Sequence, residues 1–242
     1  MGMYFTMAFF SENLSCLPHI THSFDHAGDS LKPRDIFYCI QKHGANIIQT
    51  GLHQKSDCIA ADAIFTRSTR PIGIVTADCL PILLGSSKDE FVAVIHGGWR
   101  GLTTGVISNS FRAFRQAGIP LQNIQLSIGP AIEPCCYEVS SELINHIEHV
   151  HGKLWRGRTS PWTKTRKELN VLRAPAGVNG VWLDLKLYCT YLLESEGLYP
   201  EQIQHIEKCT YCSGEVLGSY RRRTHRAETK SFQHSWISLN HD

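Results

Sequence analysis

The sequence predicts an α/β fold, because short β-rich apolar runs alternate with segments whose apolar residues recur at helical spacing. The length of 242 residues and the hydrophobic content of 42% are sufficient for one large domain with a sizeable core. The chain shows no linker, internal repeat or low-complexity segment. We therefore predict a single domain that spans residues 1–242.

Apolar runs rich in β-branched residues predict the strands. The apolar segment 1–10 lacks a basic region and a small-residue cleavage site, so it is interpreted as a first strand and not as a signal peptide. Pro81 is expected to interrupt any central ladder because it has no N–H to donate. The further predicted strands are 36–40, 45–49, 72–76, 82–85, 91–95, 124–128 and a last strand around Trp236.

Periodic apolar residues predict three helices. The first spans 102–117 and is expected to stop at Gly118, the second spans 141–149 after a partial cap at Ser140, and the third spans 182–196. The basic stretch 153–173 holds two tryptophans but little periodicity. We interpret it as a solvated surface loop in preference to a surface that stacks single-stranded nucleic acid.

Charge, apolar run length and cysteine usage narrow the class of protein. A formal net charge of +2 does not indicate nucleic acid or a membrane surface as a partner. No apolar run approaches the roughly 20 residues that span a bilayer. The nine cysteines are an odd number scattered through a long chain, which favours reduced thiols in a cytoplasm over a secreted disulfide scaffold.

Three candidate metal ligands lie at the ends of predicted strands. Cys79 and His96 each follow an apolar run, and His43 lies between two earlier runs. One thiolate and two imidazoles would form a three-ligand zinc site with an open position, as in catalytic zinc sites. Asp62 and Asp78 are the nearest carboxylates that could orient a histidine or act as a base. Each residue alone is more simply explained by packing, so the hypothesis depends on the group.

The segment His-Gly-Gly-Trp-Arg-Gly at 96–101 predicts an anion site beside that metal. Gly97 and Gly98 allow the backbone to approach a ligand closely, and Arg100 can bind a phosphate or carboxylate through two hydrogen bonds. The following helix would point its free N–H groups at the anion. The alternative is a tight strand-to-helix turn with a solvated Arg100.

The Cys-x-x-Cys pair at 209–212 leaves two interpretations open. A second zinc site would need two further ligands, and the adjacent Cys135 and Cys136 are expected to be poorly placed as a matching pair. A structural role, or a position of Cys136 near the main site, is therefore favoured.

Together these motifs resemble those of the laccase-domain family, whose members are named multicopper polyphenol oxidase, peptidoglycan-editing factor or purine nucleoside phosphorylase. The match extends over most of the chain. The segments that carry it, in the family's order, are Thr-His-Ser-Phe at 21–24, Gln-Lys-His-Gly at 41–44, Ala-Asp-Ala at 61–63, Thr-Ala-Asp-Cys-Leu-Pro at 76–81, the 96–101 segment, Gly-Pro-Ala-Ile at 129–132, Cys-Tyr-Glu-Val at 136–139, Leu-Asp-Leu at 183–185, Cys-Thr at 209–210 and Ser-Tyr-Arg-Arg at 219–222.

The resemblance implies zinc bound by His43, Cys79 and His96 in a layered α/β/β/α-type sandwich with mixed sheets. It also implies phosphorolysis of adenosine, inosine, guanosine and methylthioadenosine, and adenosine deamination. The expected partners are a nucleoside and phosphate. Copper is the second choice of metal, since blue-copper and trinuclear sites need more histidines around the metal.

The residues then suggest roles. Phosphate would lie against Gly97, Gly98 and Arg100, aligned with the ribose C1′ atom, with Arg221 as a further contact. The catalytic candidates are Cys79, Arg100, Asp62 and Cys136, the last as a proton carrier in deamination.

Two departures from the family pattern leave other functions open. The 24–41 segment is short and lacks an Arg-Gly-Gly stretch, and Lys-Ser-Phe at 230–232 replaces Thr-Gly-Arg. If the arginines of those two missing stretches contact the substrate in relatives, Arg100, Arg221 or Arg222 would have to make that contact here. The alternatives are a zinc hydrolase that cleaves a cell-wall amide and a non-catalytic metal-binding protein.

Overall fold

Two β-sheets lie face to face in the computed structural model, which describes residues 8–28, 32–166, 174–178 and 180–240. The larger sheet is mixed, with parallel pairs at its two edges and antiparallel pairs between them. Its six strands, in spatial order, are β11 (Ile203–His205), β8 (Ile124–Ile128), β6 (Leu80–Ser86), β7 (Val92–Gly97), β4 (Ala63–Thr66) and β3 (Ile47–Thr50).

The smaller sheet is antiparallel and has four strands. In spatial order these are β1 (Ala8–Phe9), β2 (Ile20–Asp25), β12 (Gln233–Leu239) and β5 (Ile72–Thr76). A separate antiparallel pair consists of β9 (Trp162–Thr163) and β10 (Trp182–Leu183). The α-helices are α1 (Glu12–Ser15), α2 (Trp99–Thr104), α3 (Val106–Gln116), α4 (Ser141–His151), α5 (Leu185–Ser195) and α6 (Tyr220–Arg226).

Alternating side chains of the central strands fill two separate cores. In β6, Ile82 and Leu84 pack with residues of α3, α4 and α5, whereas Leu83 packs between the two sheets. In β7, Ala93 likewise faces the helices and Val94 faces the other sheet. Since both faces are buried, these strands appear in the sequence as continuous apolar runs. The predicted α/β fold with mixed sheets is confirmed.

Several predicted elements match the structure and others do not. The strands at 72–76 and 124–128 have their predicted bounds, and Ser140 caps α4 by accepting a hydrogen bond from the Leu143 N–H. The predicted strand at 36–40 is wrong, because its residues form only isolated bridges, at Phe37 and Ile40. Of the segment 1–10, only 8–10 lie in the described part of the chain, and Ala8–Phe9 form a strand there.

Pro81 lies inside the central strand β6, contrary to the expectation that it would interrupt a central ladder. Its carbonyl accepts a hydrogen bond from the Gly129 N–H, so its own nitrogen faces the same side. The ladder with β8 begins only at the next residue, Ile82, opposite Ile128. The N–H that proline lacks would therefore lie just beyond the end of the ladder between β6 and β8, and no ladder hydrogen bond is lost.

Two predicted helices differ from the observed ones: one is divided in two, and the other begins later than predicted. The 102–117 helix is two helices, because Gly105 adopts a left-handed φ of 95° between α2 and α3. The 182–196 segment begins as strand β10, and Asp184 then caps α5 by accepting from the Leu187 N–H. Apolar periodicity alone did not separate the strand from the helix. The strands β2, β4, β9 and β11 and the helices α1 and α6 were not predicted.

The tryptophans of the basic stretch pack inward. Trp155 is buried against Tyr188, with ring centroids 5.8 Å apart, and the Trp162 indole N–H donates to Glu148. Residues 167–173 of that stretch lie outside the described residues. None of the described helices combines the length and the apolar character that crossing a membrane requires.

Candidate metal centre

Three strands bring His43, Cys79 and His96 together at one edge of the six-stranded sheet. Antiparallel pairing places Leu80 of β6 opposite Gly97 of β7, so Cys79 and His96 meet where these strands adjoin. His43 lies in the loop before β3. The ligand atoms of the three residues all lie within 4.8 Å of one another. His96 is buried, Cys79 is half-buried and His43 is exposed, so the group opens toward solvent on one side.

Asp62, immediately before β4, orients both histidines. Its Oδ1 accepts hydrogen bonds from the His96 Nδ1 at 2.8 Å and from the His43 backbone N–H at 2.8 Å. Its Oδ2 accepts from the backbone N–H groups of Lys42 at 3.1 Å and Gly44 at 2.8 Å. The Nε2 of His96 therefore faces Cys79, where a metal could bind both side chains, an arrangement common around metal-binding histidines. With both oxygens so occupied, Asp62 is suited to positioning and not to acting as a base.

Close backbone approach at Gly98 shapes the centre. A Cβ atom at this position would lie 2.9 Å from the His43 Cδ2 and 3.1 Å from the Cys79 Sγ. A Cβ at Gly101 would lie 2.9 Å from the Gly44 carbonyl oxygen, so the loop that carries His43 rests against α2. His43 itself has a left-handed φ of 57°. Glycine at 98 and 101 therefore allows the three ligands to converge.

The charges of the centre suit a cation. Burial raises the pKa of the Cys79 thiol, but hydrogen bonds to His43 and His96, together with the His96 charge, lower that pKa to about 7. Burial lowers the pKa of His96, but hydrogen bonds and attraction from Asp62 and Cys79 raise it to about 9. A metal ion bound here would displace the proton of His96 and would itself stabilise the Cys79 thiolate.

Asp78 joins this centre to a distant part of the chain. It has a left-handed φ of 83°, and its Oδ1 accepts from the Thr210 hydroxyl at 2.5 Å. Its Oδ2 accepts from the backbone N–H of Arg221 at 2.7 Å. Burial is the main influence and raises the pKa of this carboxyl. Asp78 thus holds the first turn of α6 next to the strand end that carries Cys79.

A cleft of about 620 Å³ begins beside the centre. Trp99, which follows Gly98, and Tyr137 lie in its wall, and the Arg221 guanidinium lies 5.4 Å from the centroid of the Tyr137 ring. Arg221 Nη1 donates to the Glu138 carbonyl at 2.8 Å. Burial and the nearby Cys79 raise the pKa of Tyr137 well above its usual range. The full lining is Trp99, Tyr137, Glu138, Val139, Ser140, Leu143, Pro175, Ala176, Gly177, Arg221 and His225.

The other candidates from the sequence occupy different positions. Arg100 is exposed, and its guanidinium lies 4.6 Å from the centroid of the Trp99 ring. Gly97 is buried at the end of β7, where an added Cβ would lie 3.0 Å from the Leu80 Cβ, so it packs within the sheet. The buried Arg222 is structural, since it donates to Glu228 and to the carbonyls of Thr210, Tyr211 and Leu217.

Cys136 does not join the three-ligand group. Its thiol lies in a second group with Cys135, Cys209 and Cys212. Sequence reasoning did not predict this group, nor the roles of Trp99 and Tyr137 in the cleft. The Cys-x-x-Cys spacing and the adjacent cysteine pair were the available signals.

The chain belongs to the family described as multi-copper polyphenol oxidoreductase laccase, whose profile matches residues 21–233. It is 31% identical over 192 residues to a purine nucleoside phosphorylase of Aquifex aeolicus, covering 77% of this chain and 76% of the relative. It is 29% identical over 170 residues to the adenosine deaminase RL5 of an unknown prokaryotic organism, covering 70% of this chain and 60% of that protein.

Solved structures share the fold. The protein YlmD of Geobacillus stearothermophilus superposes with a TM-score of 0.77 at 19% identity, covering 96% of this chain and 94% of YlmD. The protein YfiH of Bacillus licheniformis superposes with a TM-score of 0.76 at 20% identity, covering 98% of this chain and all of that one.

The copper named in the family description finds little support in the remaining histidines. His149 and His151 on α4 form a His-x-His pair, a pattern found in multicopper sites. The Nδ1 of His151 is hydrogen-bonded to the Tyr188 hydroxyl at 2.6 Å. Among the described residues, neither histidine belongs to a group of side chains placed to bind a metal.

Proposed function

We propose that this protein is a zinc-dependent purine nucleoside phosphorylase that uses adenosine, inosine, guanosine or methylthioadenosine, with adenosine deamination as a second activity. One observation carries the proposal. The three-ligand group of His43, Cys79 and His96 opens beside a cleft that presents two aromatic rings and an arginine.

The residues of the centre fit Zn²⁺. Two imidazoles and one thiolate are ligand types that catalytic zinc uses, and with three protein ligands the fourth position stays open for a reactant. The Asp62 carboxylate accepts from the His96 Nδ1 and so turns Nε2 toward Cys79, which supports metal binding over simple packing. When bound, zinc supplies a Lewis acid at the mouth of the cleft.

The cleft suits a nucleoside and phosphate. Its volume of about 620 Å³ falls within the roughly 300–1,000 Å³ typical of small-molecule sites. Trp99 and Tyr137 offer aromatic faces on which a purine can stack. Arg221 lines the cleft, and the exposed Arg100 lies beside Trp99, so both guanidinium groups can bind phosphate oxygens.

In the proposed phosphorolysis a phosphate oxygen forms a bond to the ribose C1′, and the bond from C1′ to the purine nitrogen breaks. The departing purine takes up a proton, and the products are free purine and ribose 1-phosphate. Arg221 and Arg100 hold the phosphate in line with C1′, which lowers the entropic part of the barrier. Tyr137 keeps its phenolic proton at neutral pH and can donate a hydrogen bond within the cleft.

The second activity has its own support. The relative named adenosine deaminase RL5 is similar to this chain over 170 residues, which is 70% of the chain. Zinc deaminases act on purines through water activated at an open metal position. The same cleft would then orient adenosine for replacement of its amino group.

The test is chromatography of zinc-loaded protein incubated with adenosine, inosine, guanosine or methylthioadenosine, with and without phosphate. The proposal predicts free purine and ribose 1-phosphate only when phosphate is present. Inosine formed from adenosine without phosphate would establish deamination separately. No product from any of the four nucleosides, with zinc bound at the centre, would contradict the proposal and favour a cell-wall amide hydrolase or a non-catalytic metal protein.

A further inference from the structure

Four cysteines from two distant segments meet in the second group. The sulfurs of Cys135, Cys136, Cys209 and Cys212 all lie within 4.8 Å of one another. The Sγ of Cys212 is 3.7 Å from that of Cys135 and 3.5 Å from that of Cys136. The segments are joined at Ala131, which forms a bridge with Cys209.

These distances match one tetrahedral metal ion. A zinc ion with four Zn–S bonds of about 2.3 Å places its sulfurs roughly 3.8 Å apart along each tetrahedral edge. An iron–sulfur cluster of several irons would hold its cysteine sulfurs farther apart, because inorganic sulfide lies between the irons. The observed separations therefore indicate a mononuclear site.

We propose that Cys135, Cys136, Cys209 and Cys212 bind a second Zn²⁺ ion as a closed, four-thiolate structural site. The four ligands fill the tetrahedron, so no position remains for a reactant. Binding releases the thiol protons of the four cysteines to solvent, and no oxidant or reductant takes part.

Neighbouring groups support a bound thiolate cluster. The Ala174 N–H donates to the Cys136 sulfur at 3.3 Å, the kind of outer contact that orients metal-bound thiolates. Arg166 donates through Nε to the Cys135 carbonyl at 2.7 Å and through Nη2 to the Ala174 carbonyl. The Arg166 guanidinium places a positive charge beside the site. Four thiolates and one Zn²⁺ ion would carry a net charge of −2, which this positive charge partly balances. Three of the cysteines are buried, which shields the site from competing ligands.

The second site would fasten the wall of the cleft. Tyr137, which lines the cleft, directly follows Cys136. Thr210, between Cys209 and Cys212, donates to Asp78 beside the Cys79 ligand. A metal ion that links the two cysteine segments would therefore fix Tyr137 and Asp78 relative to each other. Its role is structural and independent of which reaction the first centre supports.

The test counts zinc in the full-length protein. Protein expressed with zinc and purified under reducing conditions should contain two zinc ions per chain by plasma mass spectrometry. The Cys209→Ser/Cys212→Ser double variant should contain one, and a His43→Ala variant should lose only the other. Cys189→Ala, at a buried cysteine outside both groups, should keep two.

A second measurement uses the wild-type chain, so it does not depend on a variant that folds. Replacing zinc with Co²⁺ should give intense sulfur-to-cobalt absorption from four thiolates, well above the one-thiolate signal of the first centre. One zinc per chain, unchanged by the double cysteine variant, would overturn the proposal. Two thiols lost to a disulfide in the freshly purified, metal-loaded protein would also overturn it.

Discussion

The two cysteine-containing groups differ in composition, exposure and attachment to the fold. The first combines one cysteine with two histidines at strand ends, and one of its ligands, His43, is exposed. The second consists of four cysteines on loops, three of them buried. Ligand number and access to solvent therefore separate a centre suited to chemistry from one suited to holding loops together.

The orienting contacts differ in the same way. One carboxylate, Asp62, holds the first group through the His96 ring and through the backbone around His43. The second group is held by backbone contacts, from the Ala174 N–H and around Arg166. A carboxylate raises the basicity of a histidine ligand, so changes near Asp62 should alter reactivity, whereas changes near the four cysteines should alter stability.

The largest effect is expected from Cys79→Ala, which removes the only thiolate of the first centre. We expect loss of that centre's zinc and a fall in phosphorolysis on the order of a thousandfold or more, because metal catalysis supplies several kcal/mol. The measurements are kcat, zinc content and circular dichroism. Cys58→Ala, at an exposed cysteine, is the control, and near-wild-type turnover by correctly folded Cys79→Ala would refute the assignment.

Asp62→Asn should weaken zinc binding or activity by about 10- to 100-fold, the usual cost of removing an outer-shell partner. The amide nitrogen cannot accept any of the hydrogen bonds that the carboxylate now receives. Competition with a zinc chelator measures the affinity, and the exposed Asp35→Asn serves as the control. Unchanged affinity in Asp62→Asn would show that the carboxylate does not position the ligands.

Gly98→Ala should reduce zinc affinity about tenfold, since overpacking costs roughly 1–3 kcal/mol. The new Cβ would lie 2.9 Å from His43 and 3.1 Å from Cys79, so one ligand must move. Gly51→Ala is the matched control, because no atom lies within 4 Å of a Cβ at that position. Equal zinc affinity in the two variants would contradict the close approach at Gly98.

Arg221→Gln should raise the KM for phosphate about tenfold with a smaller effect on kcat, as expected for loss of one charged hydrogen bond worth roughly 1.5 kcal/mol. Its backbone N–H bond to Asp78 is retained, so α6 should stay in place. Steady-state kinetics at varied phosphate gives both constants, with Arg223→Gln as the control. An unchanged KM for phosphate would remove Arg221 from the phosphate site.

The smallest effect on activity is expected from substitution of His22, a buried residue that belongs to neither group. Its Nε2 accepts the Ser11 N–H at 2.8 Å, and burial lowers its pKa to about 4. The folded state therefore favours neutral His22, and the resulting stability is present above pH 6.5. It is lost as the pH falls toward 4, by up to about 3 kcal/mol.

Urea unfolding between pH 7 and 4 measures this effect. His22→Gln, which does not titrate in this range, should show a smaller loss of unfolding free energy on acidification than the wild type. Equal losses in both proteins would assign the acid sensitivity to other groups, such as His234, whose pKa burial also lowers to about 4.

The sequence predicted best where burial imposes a regular pattern. Residues 124–128 alternate apolar and polar side chains, and the apolar ones of β8 (Ile124, Leu126 and Ile128) face the core beneath the helices, so the strand could be bounded from the sequence. The helix break at Gly105 depends on a left-handed φ that no periodicity reports. The segment 36–40 has strand-like residues but pairs only at single bridges, since Phe37 lies opposite Ile72 and Ile40 lies opposite Ala60, in two different segments of the chain.

The two candidate metal groups were predictable to different degrees. His43, Cys79 and His96 each occur in a recognisable segment, and the resemblance to a known family implied their convergence. The four-cysteine group depends on tertiary folding, since Cys135 and Cys212 are 77 positions apart in the chain. Adjacent cysteines suggested a poor ligand pair, yet the loop around them turns both thiols toward Cys212.

The most direct test of the contrast between the groups is a chelator titration that follows zinc release, phosphorolysis and circular dichroism in the same samples. We predict that the first zinc equivalent leaves from the open centre and abolishes activity while the fold is retained. The second equivalent should leave only at higher chelator concentration, together with loss of structure. Activity that survives the first equivalent, or unfolding that accompanies it, would contradict the account.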